Sequence, residues 1–115
     1  MEDLVWIGLG GLLLWMAVRH FLMVRRRISG PAAREKVREG ALLLDVRSPG
    51  EFAADHIEGA VNIPVDRLET RLEGVSKDRP VVVYCRSGAR SYAASRLLSR
   101  HGYEVHDLGP RHAWG

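Results

Sequence analysis

The chain has 115 residues, 46% of them hydrophobic and 27% charged, a balance that excludes disorder throughout and allows one domain of ordinary size. One cysteine excludes an internal disulfide and any zinc site built on paired thiolates. Residues 28–115 carry 13 Lys+Arg against 12 Asp+Glu, so the basic excess comes mainly from Arg19, Arg25, Arg26 and Arg27, beside an apolar segment. Charge placed there points to membrane topology and away from a nucleic-acid partner.

Residues 4–24 hold 19 uncharged apolar or glycine residues out of 21, broken only by Arg19 and His20. As a helix they would span roughly 31 Å, close to the hydrocarbon thickness of a bilayer. Ending at Val18 would leave roughly 22 Å, too short without local thinning. Arg19 and His20 then lie about one turn inside the boundary, from which a long arginine side chain can snorkel outward. A cleaved secretory signal would carry positive charge before the apolar run, whereas here Glu2 and Asp3 precede it and Arg25, Arg26 and Arg27 follow. A helix apolar on every face also makes a poor core helix in so small a domain. Residues 1–27 are therefore expected to be an uncleaved single-pass anchor with a basic stop, meeting the lipid bilayer through residues 4–24. The positive-inside rule puts residues 28–115 on the cytoplasmic side, where a free thiol survives.

Along the rest of the chain, Ser29-Gly30-Pro31 starts a short helix over residues 32–39, ended by Gly40. Residues 41–44 form an apolar run of the kind buried on both faces of a sheet. Ser48-Pro49-Gly50 turns the chain into one helical turn over residues 51–55. A strand is expected over residues 60–63, stopped by Pro64. Val65, Leu68 and Leu72 at helical spacing predict a helix over residues 65–73. The strongest strand signal is Val81-Val82-Val83-Tyr84. Ala93, Ala94, Leu97 and Leu98 mark a helix over about residues 90–100, with Gly102 past its end. A last strand over residues 103–108 and a turn at Gly109-Pro110 complete an α/β chain, a mostly parallel sheet flanked by helices.

The only cysteine, Cys85, falls at the C-terminal end of the best strand, the edge where functional groups of open α/β sheets gather. Arg86, Ser87, Gly88, Ala89 and Arg90 follow before a helix begins. Small residues allow a tight loop whose backbone N–H groups turn inward at the positive end of a helix, a nest for an anion that also favours the nucleophilic thiolate. Arg86 and Arg90 add guanidinium forks suited to an oxyanion. Cys85 could instead be a small apolar residue ending a buried strand. Strand, thiol, glycine loop, two arginines and helix together favour chemistry.

The segment Cys85-Arg86-Ser87-Gly88-Ala89-Arg90-Ser91 resembles the active-site loop of single-domain rhodaneses, which are persulfide-forming sulfurtransferases. A second stretch, Leu44 through Phe52 and then His56 through Pro64, resembles the family's upstream signature in content and spacing. The likeness runs from about Ser29 to Trp114. It implies a five-stranded parallel rhodanese fold over residues 28–115, with Cys85 as persulfide carrier and Arg86 and Arg90 as anion binders. Two features depart from the pattern: Pro110 follows Gly109 where the family often has a second glycine, and Gly115 follows Trp114 where many relatives continue a final helix.

The expected chemistry is thiosulfate sulfurtransferase activity. Cys85 takes the outer sulfur of thiosulfate or another persulfide donor and passes it to cyanide, a small thiol or a protein thiol, the N–H groups of residues 86–90 stabilising the charge. No metal or organic cofactor is called for. One alternative is a membrane-tethered sulfur-carrier or regulatory module with inefficient thiosulfate turnover. Another is a cysteine phosphatase, but phosphatases of the related fold use a longer Cys-to-Arg loop. Asp45, Arg47 and His56 are expected to be structural supports, the first two through hydrogen bonds or an ion pair. Tyr84 and Tyr92 are expected in the core.

Overall fold

The computed structural model describes residues 2–115 apart from the side chain of Arg25, whose expected part in the basic stop lies outside the described residues. Helix α1 covers Glu2–Arg25, with Glu2 and Asp3 at its positive end. Within it Glu2–Val24 is long and apolar enough to cross a membrane, and none of this span is buried. Large apolar residues point outward on every side, among them Leu4, Trp6, Leu14 and Phe21.

Helix α2 (Gly30–Arg38) begins two residues earlier than the apolar pattern suggests. Ser29 supplies its N-cap, Oγ accepting from the Ala32 N–H at 3.2 Å. Pro31 occupies the first turn, where a missing N–H costs nothing. Then follow β1 (Leu42–Asp45), α3 (Pro49–Ala54), β2 (Val61–Asn62), α4 (Val65–Leu68), β3 (Val81–Cys85), α5 (Ala89–Arg100) and β4 (Val105–Pro110). The strands form one parallel sheet in the order β2-β1-β3-β4.

Both apolar runs are buried along their whole length, because alternate residues feed two cores, one on each face. Leu42, Leu44, Val81 and Val83 pack with Leu68, Ala94 and Leu98. Leu43, Val82 and Tyr84 pack with Ala33, Ile57 and Leu108 on the other face.

Element ends shift by one or two residues from expectation, and four larger expectations change. Among the described residues the sheet has four strands, not five. Because α1 continues to Arg25, only residues 26–29 remain alongside β4, and they make one backbone bond to it, Ile28 N–H to Asp107 O at 2.8 Å. The helix expected over 65–73 stops at Leu68 and tightens into a 3-10 turn, Glu69–Gly74. The Tyr103 hydroxyl holds that turn from within the same core, bonding to Leu72 O at 3.0 Å and Val75 O at 2.7 Å. Gly109 and Pro110 extend β4 instead of turning. Gly109 takes φ +81, the register shifts beside it, and Pro110 is extended with φ −74. Tyr92 is only half-buried, on α5 beside Arg96.

Candidate active site

Strand β3 delivers Cys85 fully buried to the C-terminal edge of the sheet. Arg86 and Ser87 turn outward into solvent, Gly88 turns back in, and α5 starts at Ala89. Gly88 has φ +110, which residues with a Cβ rarely adopt, and as the N-cap of α5 it brings no side-chain oxygen. Its N–H donates to Cys85 Sγ at 3.0 Å. Its carbonyl accepts from Tyr92 N–H at 3.0 Å and from Ser91 Oγ at 3.1 Å. The first-turn N–H groups of α5 are therefore left without a side-chain cap, beside the sulfur. Negative charge at that position meets a donated hydrogen bond and the positive end of a helix.

The two loop arginines have different surroundings. Arg86 is exposed. Arg90 is gripped by Glu51 of α3 in a two-pronged ion pair, at 2.6 Å and 2.9 Å. The Arg90 guanidinium, together with the Ser48 N–H, holds the Glu51 carboxyl far below the usual range, and Glu51 in turn raises Arg90. Glu51 thus ties the Cys85 loop to the neighbouring β1–α3 loop.

That neighbouring loop is braced by Asp45 and Arg47. The Arg47 Nη2 lies 2.7 Å from Asp45 Oδ2, with Nε at 3.0 Å from the same oxygen, and both side chains are buried. A second Nη2 bond reaches Asp55 O at 2.6 Å. Asn62 Nδ2 donates to the carbonyls of Asp45 and Arg47, which fixes β2 to the same corner. Tyr84 lies beneath, its hydroxyl accepting from Ile57 N–H at 3.2 Å, and burial pushes its phenol up to about 12. His56 is exposed, stacked on Phe52 at 3.8 Å with Nδ1 2.8 Å from Phe52 O.

The structure thus gathers Cys85, Arg86, Ser87, Gly88, Ala89 and Arg90 at one edge, with Asp45, Arg47 and His56 in the adjoining corner. Four further residues were not singled out from the sequence. Glu51 was legible, since Ser48 and Glu51 form a capping box in which each side chain accepts from the other's backbone N–H, at 3.2 Å and 3.1 Å. Ser91 and Asp107 were not. Asp107 is nearly buried in β4, its Oδ1 accepting from Gly109 N–H at 2.9 Å. Burial raises its carboxyl, and the bond from Gly109 opposes that rise. Arg27, read only as topology, packs its guanidinium against Gly88 and Gly109, with Nε buried and without a hydrogen-bond partner among the described residues.

Residues 30–109 match the family model described as rhodanese-like domain. Over 65 residues the chain is 46% identical to a sulfurtransferase of Allochromatium vinosum, a match covering 56% of this chain and 61% of that protein. It thus spans about three fifths of that relative's length. It is 35% identical over 78 residues to the thiosulfate sulfurtransferase GlpE of Pseudomonas fluorescens, covering 68% of this chain and 72% of the other. The solved structure of the human single-domain sulfurtransferase TSTD1 matches with a TM-score of 0.70 at 31% identity, over 77% of this chain and 94% of that one. With most of its length matched and the same α/β architecture, the chain belongs to the rhodanese-like domain family, among sulfurtransferase relatives.

Proposed function

We propose that residues 28–115 form a thiosulfate-type sulfurtransferase, tethered by residues 1–27 to a membrane, with Cys85 as the sulfur carrier. The observation that carries this reading is the Gly88 N–H donated to Cys85 Sγ at the uncapped start of α5. Thiolate Cys85 attacks the outer sulfur of thiosulfate. The S–S bond of the donor breaks with its electron pair leaving on sulfite, and a Cys85 persulfide anion forms. Its terminal sulfur moves into the ring of N–H groups over residues 86–90, which hold the charge. An acceptor thiolate, or cyanide, then attacks that sulfur and Cys85 leaves as thiolate.

In this reading Arg86 attracts the anionic donor from solvent and Arg90, positioned by Glu51, sets the field at the sulfur. Asp45, Arg47 and His56 support the loop without meeting the donor. The short loop, with four residues between Cys85 and Arg90, suits one sulfur atom better than a phosphate group. The three arginines after the apolar span favour a cytoplasmic domain.

Intact-mass measurement on the full chain in detergent, after thiosulfate, tests this. One added sulfur that cyanide removes and that Cys85→Ser lacks is the expected result. A folded protein that takes no sulfur from thiosulfate or polysulfide would overturn it, and a sulfur retained without turnover would favour a carrier role.

A further inference from the structure

We propose that the Cys85 loop faces the lipid headgroup layer, so that its sulfur partner is a cysteine of a second, membrane-embedded protein; this rests on the sulfur-transfer and anchor readings above. Helix α1 ends at Arg25, and Ile28 already donates to Asp107 O at 2.8 Å. Only Arg26 and Arg27 lie between helix and sheet. The three steps from Arg25 to Ile28 reach at most about 11 Å, so the domain begins at or just outside the headgroup region on one side of a bilayer.

The point of attachment then fixes which side of the domain meets the membrane. Asp107 lies in β4 two residues before Gly109, which is opposite Tyr84, and Pro110 is opposite Cys85 itself. The chain therefore enters the domain at the edge that carries the thiol. Contacts agree with this placement. A Cβ built on Gly109 would meet Arg27 Nε at 2.6 Å, and one on Gly88 would meet Arg27 Cζ at 2.8 Å, so the Arg27 side chain covers the backbone of β4 at Gly109 and of the loop at Gly88. The last turns of α1 reach the same loop, Arg19, His20 and Met23 sharing a cavity of about 200 Å³ with Ala89 and Tyr92.

A cavity of about 390 Å³ beside the junction is lined by Arg26, Arg96, Arg100 and Asp107 and runs along α5 toward Val105, which is opposite Val81 at the end of the sheet away from Cys85. Arg26, at the end of the anchor, is drawn toward anionic headgroups. A small soluble thiol would reach Cys85 in any orientation. A loop held against the bilayer gains only with an acceptor confined to the same layer, where the effective concentration is high. In that transfer the acceptor thiolate attacks the outer sulfur of the Cys85 persulfide, the Cys85 S–S bond breaks, and a new S–S bond forms on the acceptor.

The test uses the full chain in phosphatidylcholine–phosphatidylglycerol vesicles, loaded with thiosulfate and checked by intact mass before any acceptor is added. Absence of the added sulfur at that stage would count against the sulfur-transfer reading, not against this one. The loaded protein then meets a small thiol, a cysteine peptide tethered to a lipid headgroup, or a bulky soluble protein thiol. A second variant carries a long flexible Gly-Ser insertion between Arg26 and Arg27. The expected result is discharge by the tethered peptide at least tenfold faster than by the bulky soluble thiol, with the insertion restoring the bulky thiol and leaving the small thiol unchanged. Equal discharge by the bulky soluble thiol with and without the insertion would overturn the proposal.

Discussion

Two helices leave this sheet side by side from neighbouring parallel strands, and their first turns are finished in opposite ways. At α3, Ser48 and Glu51 close a capping box, Pro49 removes a donor, and the Asp45–Arg47 pair fills the corner behind. At α5, Gly88 offers no side chain, and its N–H is given to a sulfur. One terminus is sealed by its own residues and holds shape. The other is left open to an outside charge. Glu51 joins the two, sealing α3 with one oxygen and gripping Arg90 of α5.

The largest break in this contrast comes from the sealed side. Asp45→Ala strands Arg47, only 6% exposed, without its carboxylate. Removing one partner of a buried pair costs about 3–5 kcal/mol, so the thermal midpoint should fall by well over ten degrees. Protein that remains folded at low temperature should still accept sulfur. Sulfur loading that collapses at unchanged stability would instead make the corner part of the chemistry. On the open side, Gly88→Ala puts a Cβ at φ +110, a strain of about 1–3 kcal/mol. Arg27 can swing aside from that Cβ, but the backbone cannot. Here loading should fall more than stability, as read by intact mass and melting on the same sample.

Glu51 tests the link between the two. Its folded-state carboxyl lies far below its ordinary value, so the stability it contributes is present above about pH 4.5 and is lost as the pH falls below that toward the folded value. Melting curves of the native chain should drop across that acid window, and Glu51→Gln should flatten the drop. At neutral pH the same change should cost about 1–2 kcal/mol. It also frees Arg90, so sulfur loading should slow several-fold while a higher thiosulfate concentration partly restores it.

How much of this was readable in the chain divides along the same line. The apolar runs 41–44 and 81–84, each within one residue of its strand, the thiol and the glycine loop announce themselves because burial and turn chemistry are local. The capping box was equally local, though Glu51 was not read as the partner of Arg90, 39 residues away. Nothing nearby in sequence signals that Ser91 bonds to the Gly88 carbonyl, that Asp107 holds the Gly109 N–H, or that Arg27 lies over both glycines. The 3-10 turn after Leu68 is set from Tyr103, again across the fold. Contacts made only by parallel crossovers leave no periodic trace.

The smallest effect completes the contrast. Ser48→Ala removes the side chain that accepts from Glu51 N–H and leaves the Glu51–Arg90 pair intact. Loss of such a cap costs about 1 kcal/mol, a shift of several degrees in the melting midpoint. Sulfur loading of Cys85 should not change at temperatures well below that midpoint, because the open terminus of α5 never depended on Ser48. A Ser48→Ala protein that melts normally but loads slowly would mean that the sealed helix also tunes the sulfur site, and the division between the two termini would not hold.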